Sequence, residues 1–467
     1  MTNSISVSQV GNALSIGAFL QAYPIGKVKT ILKKTGKSSK RERVLPNYVL
    51  VYYVLALALF MNDSYREVMR TLLEGFRYCG RKKDAVRPLS KSGISQARTR
   101  LGFEPLQQMF EEFVRPIAIR TTVGARYKRW LVVSLDGSTM DVADTAENDK
   151  EFGRPKGSRG SSAFPKIRFV TLMENGTRVL FGAALGAYGG SNAVSEMELA
   201  RQVIDNLRKG MLCLADRYYL GYEFFKAACE TGADHLWRAK RYIILTPVKR
   251  LSDGSYLSYL YRSAADRKKG RNGILVRVIE YKFKWVRHGE PYIRLITTIL
   301  NPEEALAVEL AALYHERWEV ETGLGELKID LRGADIILRS KTPNLVRQEF
   351  YALLLAHFAV RGVMHEAALK AKEDPDRLSF LHSVNVLRRK VAVYGSRSKR
   401  RWSGIHQATI DEILEERVEQ KRHRRNHRGV KRKMSNYPLA KRSLDRQWRT
   451  EPATIISILR STPKKTA

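Results

Sequence analysis

Cysteine is almost missing from this chain: Cys79, Cys213 and Cys229 are the only three. With no CxxC pair and no histidine partner at metal-ligand spacing, they exclude a disulfide framework, lend nothing to a zinc site, and fit a reducing compartment. A run near the roughly 20 apolar residues that a membrane span needs is also lacking. The longest, Tyr48 to Met61, reads instead as a helix buried on all sides, started after Leu45-Pro46-Asn47. No lipidation signal and no N-terminal hydrophobic core flanked by basic residues occurs, so no membrane partner is expected. Acidic residues are short in supply too, 47 against 83 Lys and Arg, a formal net charge of +36. A 467-residue chain that is 44% hydrophobic folds into real cores. Such a basic excess on it repels itself unless a polyanion neutralises it, and points to nucleic acid.

Along the chain the periodicity changes twice. A basic stretch from Lys27 to Arg43 is either an arm that tracks phosphates or a solubilising lead-in. Helices follow over Pro46 to Met61 and Tyr65 to Phe76, the second capped by Asn62-Asp63-Ser64, with a break at Gly80 and Pro88. Ser90 to Gly102 reads as a turn feeding a short helix that exposes Gln96, Arg98 and Arg100, either a reading helix for a DNA groove or a plain connection. From Lys128 the pattern turns to strands: Trp130 to Leu135, ending on Asp136, then Ile167 to Met173 and Arg178 to Leu185 around the hairpin signal Glu174-Asn175-Gly176-Thr177. A helix from Val194 to Leu207 leads to a strand Met211 to Ala215 that ends on Asp216, then a helix Gly221 to Glu230 and a strand His235 to Arg238. Between about Arg241 and Leu300 the chain is strand-like and turn-rich, with Ser252-Asp253-Gly254 and Arg271-Asn272-Gly273 as hairpin tips. Pro302 starts a long helix, helices dominate from Thr342 to Arg389, and beyond Tyr394 the chain is intensely basic, with Lys421 to Arg425 and Lys431 to Lys433.

The long helix carries Tyr314, Arg317, Glu321 and Lys328 on one face, within roughly 60° at about 100° per residue. An ordinary buried helix places apolar residues on such a stripe. A carboxylate among three phosphate-binding side chains suits a metal-dependent phosphodiester site; the bland alternative is a solvated helix laced by ion pairs such as Arg317 with Glu321. The site reading requires more acids. Asp136 ends the first strand of a meander, Asp216 ends the fourth strand after a crossover helix, and Glu321 lies on a later helix. A ribonuclease-H-like fold gathers three distant carboxylates from that order. Acids so close cannot all ionise without cations between them, and hard oxygen ligands fit magnesium or manganese. Two ions would serve the attacking and the leaving oxygen. Each acid has a plainer reading: Asp136 in Asp-Gly-Ser is ordinary turn chemistry, and Asp216 beside Arg217 makes a surface pair.

The uninterrupted spacing of Tyr314, Arg317, Glu321 and Lys328 resembles the mark of the DDE transposases of bacterial insertion sequences, of the insertion sequence 4 type. Leu214 to Tyr219 is similar to that family's second-acid region, Ser134 to Thr139 to its first, and Leu45 to Gly75 to its helical N-terminal region. The resemblance covers about residues 40 to 365. It implies an α/β protein with a ribonuclease-H-like catalytic core, a mixed sheet flanked by helices, interrupted by a β insertion before the Glu helix. The expected parts are a basic N-terminal arm (1–44), a helical DNA-binding domain (45–125), the first part of the core (126–240), the β insertion (241–300), the helical second part (301–393) and a basic tail (394–467). It further implies Asp136, Asp216 and Glu321 as catalytic metal ligands for two Mg2+ or Mn2+ ions, and phosphate grips at Tyr314, Arg317, Lys328 and Arg217. The partners implied are double-stranded DNA, both transposon ends and target, and a second copy in a synapse, in the bacterial cytoplasm at the nucleoid. Trp237 and Trp285 are candidates to stack a flipped base, or core residues. A catalytically retired DNA-binding relative and a nuclease without strand transfer are the other readings.

Overall fold

The computed structural model describes residues 17–39, 46–78, 90–157, 160–283, 292–333, 336–390, 399–418 and 456–458. The expectations placed on Cys79, Gly80, Pro88, Trp285 and the basic runs at 421–425 and 431–433 lie outside them. Ahead of the strands come helices α1 (Gly17–Ala22), α2 (Ile25–Lys34), α3 (Asn47–Leu59), α4 (Tyr65–Tyr78), α5 (Lys91–Leu101) and α6 (Glu104–Phe113). α3 is apolar all round, and from Val49 to Leu59 every residue is buried, as its composition requires. It packs against α13 (Pro343–Ala371), reached only after the sheet; the elements between are given next. The intervening elements are β1 (Arg126–Tyr127), β2 (Trp130–Asp141), α7 (Ala146–Phe152), β3 (Lys156–Gly157), β4 (Gly160–Ser161), β5 (Lys166–Glu174), β6 (Val179–Ala187), α8 (Glu196–Val203), β7 (Met211–Ala215), α9 (Tyr222–Glu230) and β8 (Asp234–Arg238). After them come β9 (Lys249–Arg250), β10 (Tyr256–Leu260), α10 (Ala264–Lys269), β11 (Ile274–Phe283), β12 (Ile293–Thr297), α11 (Ala307–Leu313) and α12 (Glu319–Gly325). Beyond α13 lie α14 (Phe380–Lys390), α15 (Lys399–Ile413) and β13 (Ile456–Ile458).

One mixed sheet runs in the order β6-β5-β2-β7-β8-β12-β11-β10-β9. β2, β5 and β6 form an antiparallel meander, and β7 and β8 then lie parallel to β2 across the crossover helix α8. The strands expected as an insertion do not stand apart: β12 pairs antiparallel with β8, so they continue the same sheet. Of the two tips expected there, Ser252-Asp253-Gly254 turns β9 into β10. Arg271-Asn272-Gly273 ends a longer connection that contains α10. β13 pairs with Tyr281–Phe283 of β11.

Helix α13 is the joint between the two halves, packing on α3, α6, α1, α14 and α15 as well as on β6. By length and composition it is the one described helix apolar enough to cross a bilayer, an exception to the expectation from the sequence, and 78% of that stretch is buried within the protein. The helical region 45–125 thus shares its core with 301–393. Three local details depart from the sequence reading. β2 does not stop at Asp136 but runs on to Asp141, because β5 accompanies it that far. The later helix starts at Ala307 rather than Pro302, after turns over 302–304. The Asn175-Gly176 hairpin is a four-residue turn in which Arg178 takes the left-handed conformation at φ 53°, while Gly176 is required by close approach: a Cβ there would lie 2.5 Å from Ala125 Cα.

Candidate active site

The site forms where β7 stops. Leu135 lies opposite Ala215 in the parallel ladder, so Asp136 and Asp216 follow at neighbouring places on strands about 4.8 Å apart. Beyond that point β2 has a partner on one side only, which opens a crevice at the carboxyl ends of the parallel strands, the usual position for a ligand in such sheets. Asp136 Oδ1 accepts the Gly137 N–H at 2.9 Å, and Asp216 Oδ1 accepts that of Arg217 at 2.5 Å. Burial pushes the Asp136 carboxyl up to about 6; the Gly137 bond and Arg317 pull against this, while Glu321 and Glu196 add to it.

Glu321 arrives on a helical rod that changes pitch along its length. α11 tightens into a 3-10 turn over Tyr314–Trp318, relaxes into α12, and widens into a π turn over Glu326–Leu331. Side chains three apart eclipse in a 3-10 turn, so Tyr314 and Arg317 line up, and Glu321 follows one α-turn later. The Arg317 guanidinium, only 6% exposed, stands between two acids: Nη1 is 3.7 Å from Asp136 Oδ2 and Nη2 is 3.6 Å from Glu321 Oε1. The Trp318 ring lies against it with its centroid 4.9 Å from Cζ, and the Arg317 Nε is buried without a hydrogen-bond partner. The Glu321 side chain is half exposed. Lys328 Nζ donates to Ser138 Oγ at 2.7 Å; burial holds its ammonium below the ordinary range, against Asp136 and Asp141.

Tyr314 departs from the phosphate grip expected of it. It is buried, its hydroxyl donates to the Ala215 carbonyl at 3.3 Å, and burial raises its pKa. That bond pins the strand end from which Asp216 projects. Arg217 and Tyr218 are exposed beside it. In α5, Gln96 and Arg100 are exposed, but Arg98 is not: it is buried, with Nε on Gln348 at 2.8 Å and its Nη groups on Tyr65 and Ser340, and so ties the helix into the core instead of facing a groove. Trp237 is likewise core, packed on Phe224 and Phe225.

Three residues that the sequence reading passed over shape the site. Asn175, in the hairpin turn, donates to the Glu316 carbonyl at 2.9 Å and accepts from Ser134 Oγ at 2.8 Å. Arg178 binds Glu319 at 2.6 Å and Glu326 at 2.9 Å, so the β5–β6 turn grips the rod on both sides of Glu321. Glu326 is held far below the usual carboxylate range by Arg361, His357 and Arg178, in spite of its burial. Gly323 lets the rod sit close on the sheet, since a Cβ there would lie 2.7 Å from the Met173 sulfur. The third is Glu196, at the start of α8, whose side chain lies against Gly137.

Two family descriptions match the sequence: "Insertion element 4 transposase N-terminal" over residues 13–111 and "Transposase DDE domain" over residues 130–359. The chain is 27% identical over 386 residues to the transposase InsG for insertion sequence element IS4 of Escherichia coli K12, covering 80% of this chain and 82% of that protein. It belongs to the DDE transposases of the insertion sequence 4 type. InsZ, from the same organism, is 20% identical over 220 residues, 47% of this transposase and 69% of InsZ.

DDE transposase domains use divalent metal ions. Among the described residues no three His, Cys, Asp or Glu side chains stand close enough together to hold one as placed, and Arg317 stands between Glu321 and Asp136. The donor set nonetheless fits a hard cation: carboxylate oxygens alone, at adjacent strand ends, with a positive group already between two of the acids. In this transposase Asp136 and Asp216 are the residues that would hold it, with Glu321 across Arg317 as the third acid.

Proposed function

We propose that this transposase binds the terminal repeats of its element, hydrolyses a phosphodiester bond at each end, and joins the resulting 3′-hydroxyl to target DNA by transesterification. Asp136, Asp216 and Glu321 are the ligands for two magnesium or manganese ions. One observation carries the reading: two aspartates follow the ends of neighbouring parallel strands, and the guanidinium beside the first of them, Asp136, bridges to Glu321. When bound, the ions supply Lewis-acid activation of the attacking oxygen and stabilisation of the leaving one. The chain's own residues do the rest. Lys328 and Arg217 hold phosphates, Arg317 places its guanidinium beside Asp136 and Glu321 where a phosphate would meet the acids, and Tyr314 fixes the Ala215 carbonyl so that Asp216 keeps its place. Gln96 and Arg100 on α5 face DNA. A homodimer holds two ends together, and the protein works at the bacterial nucleoid.

A supercoiled plasmid carrying cognate ends, incubated with magnesium, separates the alternatives. Joined product supports the transposase, nicks alone a nuclease, and bound but uncut DNA a retired relative. Asp136→Asn, Asp216→Asn and Glu321→Gln are each expected to abolish cleavage while end binding, read by gel shift, is largely kept. Full activity in any of the three removes that residue from the metal site.

A further inference from the structure

Strand β2 carries a glycine directly after Asp136, and a glutamate fills the place of its missing side chain. A Cβ on Gly137 would lie 2.7 Å from Glu196 Cδ and 2.9 Å from Glu196 Oε1, so any other residue at 137 would drive this carboxylate away. Glu196 heads α8, the crossover helix between β6 and β7, where Ser195 caps the helix by accepting the Glu198 N–H at 3.1 Å. Tyr219, three residues beyond Asp216 and buried, donates its hydroxyl to Glu196 Oε1 at 2.8 Å. The carboxylate is therefore fixed from two sides, by a glycine that makes room and a phenol that orients it. Both neighbours belong to the segments that carry the aspartates. A carboxylate placed near Asp136 adds to the repulsion on it, which a shared cation would relieve.

We propose that Glu196 is a fourth acid of the cleavage site, a residue that strengthens divalent-ion binding beside Asp136, with Gly137 and Tyr219 as its positioning residues. This rests on the metal-dependent reading above. Its chemistry is that of a further hard oxygen donor to the ion, direct or through a coordinated water.

The test measures Mn2+ affinity of the full-length protein by calorimetry and maps the bound ion by Fe2+-generated hydroxyl-radical cleavage of the chain, alongside the magnesium dependence of end cleavage. Glu196→Gln is expected to weaken Mn2+ binding by about 10-fold or more, to reduce chain scission near residues 136 and 216, and to raise the magnesium requirement, with an unchanged melting temperature. Glu198→Gln, one exposed turn-mate away, should change none of these. Tyr219→Phe retains the ring and loses only the hydroxyl, so it should give a smaller shift in the same direction; it is the deciding variant if Glu196→Gln fails to fold. If Asp136→Asn loses Mn2+ while Glu196→Gln and Tyr219→Phe bind it as the parent does, the fourth acid is refuted and the metal site stands. If Asp136→Asn itself leaves Mn2+ binding and scission intact, the reading under both is overturned.

Discussion

Arg317 stands between Asp136 and Glu321, so in the proposed site a cation shared by both acids would have to displace its guanidinium. Arg317→Ala should lower the rate of end cleavage about 100-fold, as loss of a buried charge-stabilising donor does, with a smaller effect on end binding. Lys328→Ala should slow cleavage about tenfold, and single-turnover kinetics on a pre-cut end will show whether joining falls in parallel. Spacing alone made this stripe legible, since four residue types at fixed intervals must share a helix face. It could not show which part of the face meets the sheet, and so Tyr314 was read as a phosphate grip when it is buried against Ala215. Arg98 was misread for the same reason: alternate exposure of Gln96, Arg98 and Arg100 fits a strand better than a helix, and on α5 the middle residue turns inward to Gln348. Glu196 was invisible because its partners, Gly137 and Tyr219, are brought to it only by the crossover.

The Glu321 rod is held by a turn. Arg178 reaches Glu319 and Glu326 from a left-handed position in the β5–β6 hairpin, and Asn175 takes the Glu316 carbonyl. Removing Arg178 takes its cation from Glu319 and one of two arginines from the buried Glu326, which keeps Arg361, so Arg178→Ala should cost about 3 kcal/mol of stability by urea unfolding and should impair cleavage more than DNA binding. Strand pairing and crossover order were readable from alternation and turn residues. The clamp was not, because Glu-Asn-Gly-Thr signals a bend without telling what its side chains reach. The changes of pitch in the rod were equally hidden, since periodicity assumes a uniform helix. On β8, His235 is wholly buried and burial pulls its pKa down to about 4. An unfolded histidine takes up its proton near 6.5, so on acidification the unfolded chain gains protons that the folded one refuses, and stability is lost as pH falls from about 7 towards 4. That loss is on the order of 2 kcal/mol at pH 5. Thermal melts at pH 7 and pH 5 should show a smaller drop for His235→Gln than for the parent; equal drops would acquit this residue.

Across the whole molecule the charge of +36 governs encounter with DNA. Affinity for an end fragment is expected to fall by about 1,000-fold or more between 50 and 200 mM salt, along a straight line in log K against log salt. Near independence of salt would remove the electrostatic account. The N-terminal helices, though basic in part, are not a detachable reader. Arg98 is bonded to Gln348 and Ser340, Arg339 to the carbonyls of Met61 and Asp63, and Arg388 to that of Leu59.

Helix α13 has consequences of its own, because its length lets one rigid spar carry Gln348 under the N-terminal helices and His357 and Arg361 under Glu326. The anchorage of the front of the molecule and the footing of its scissors are therefore one girder.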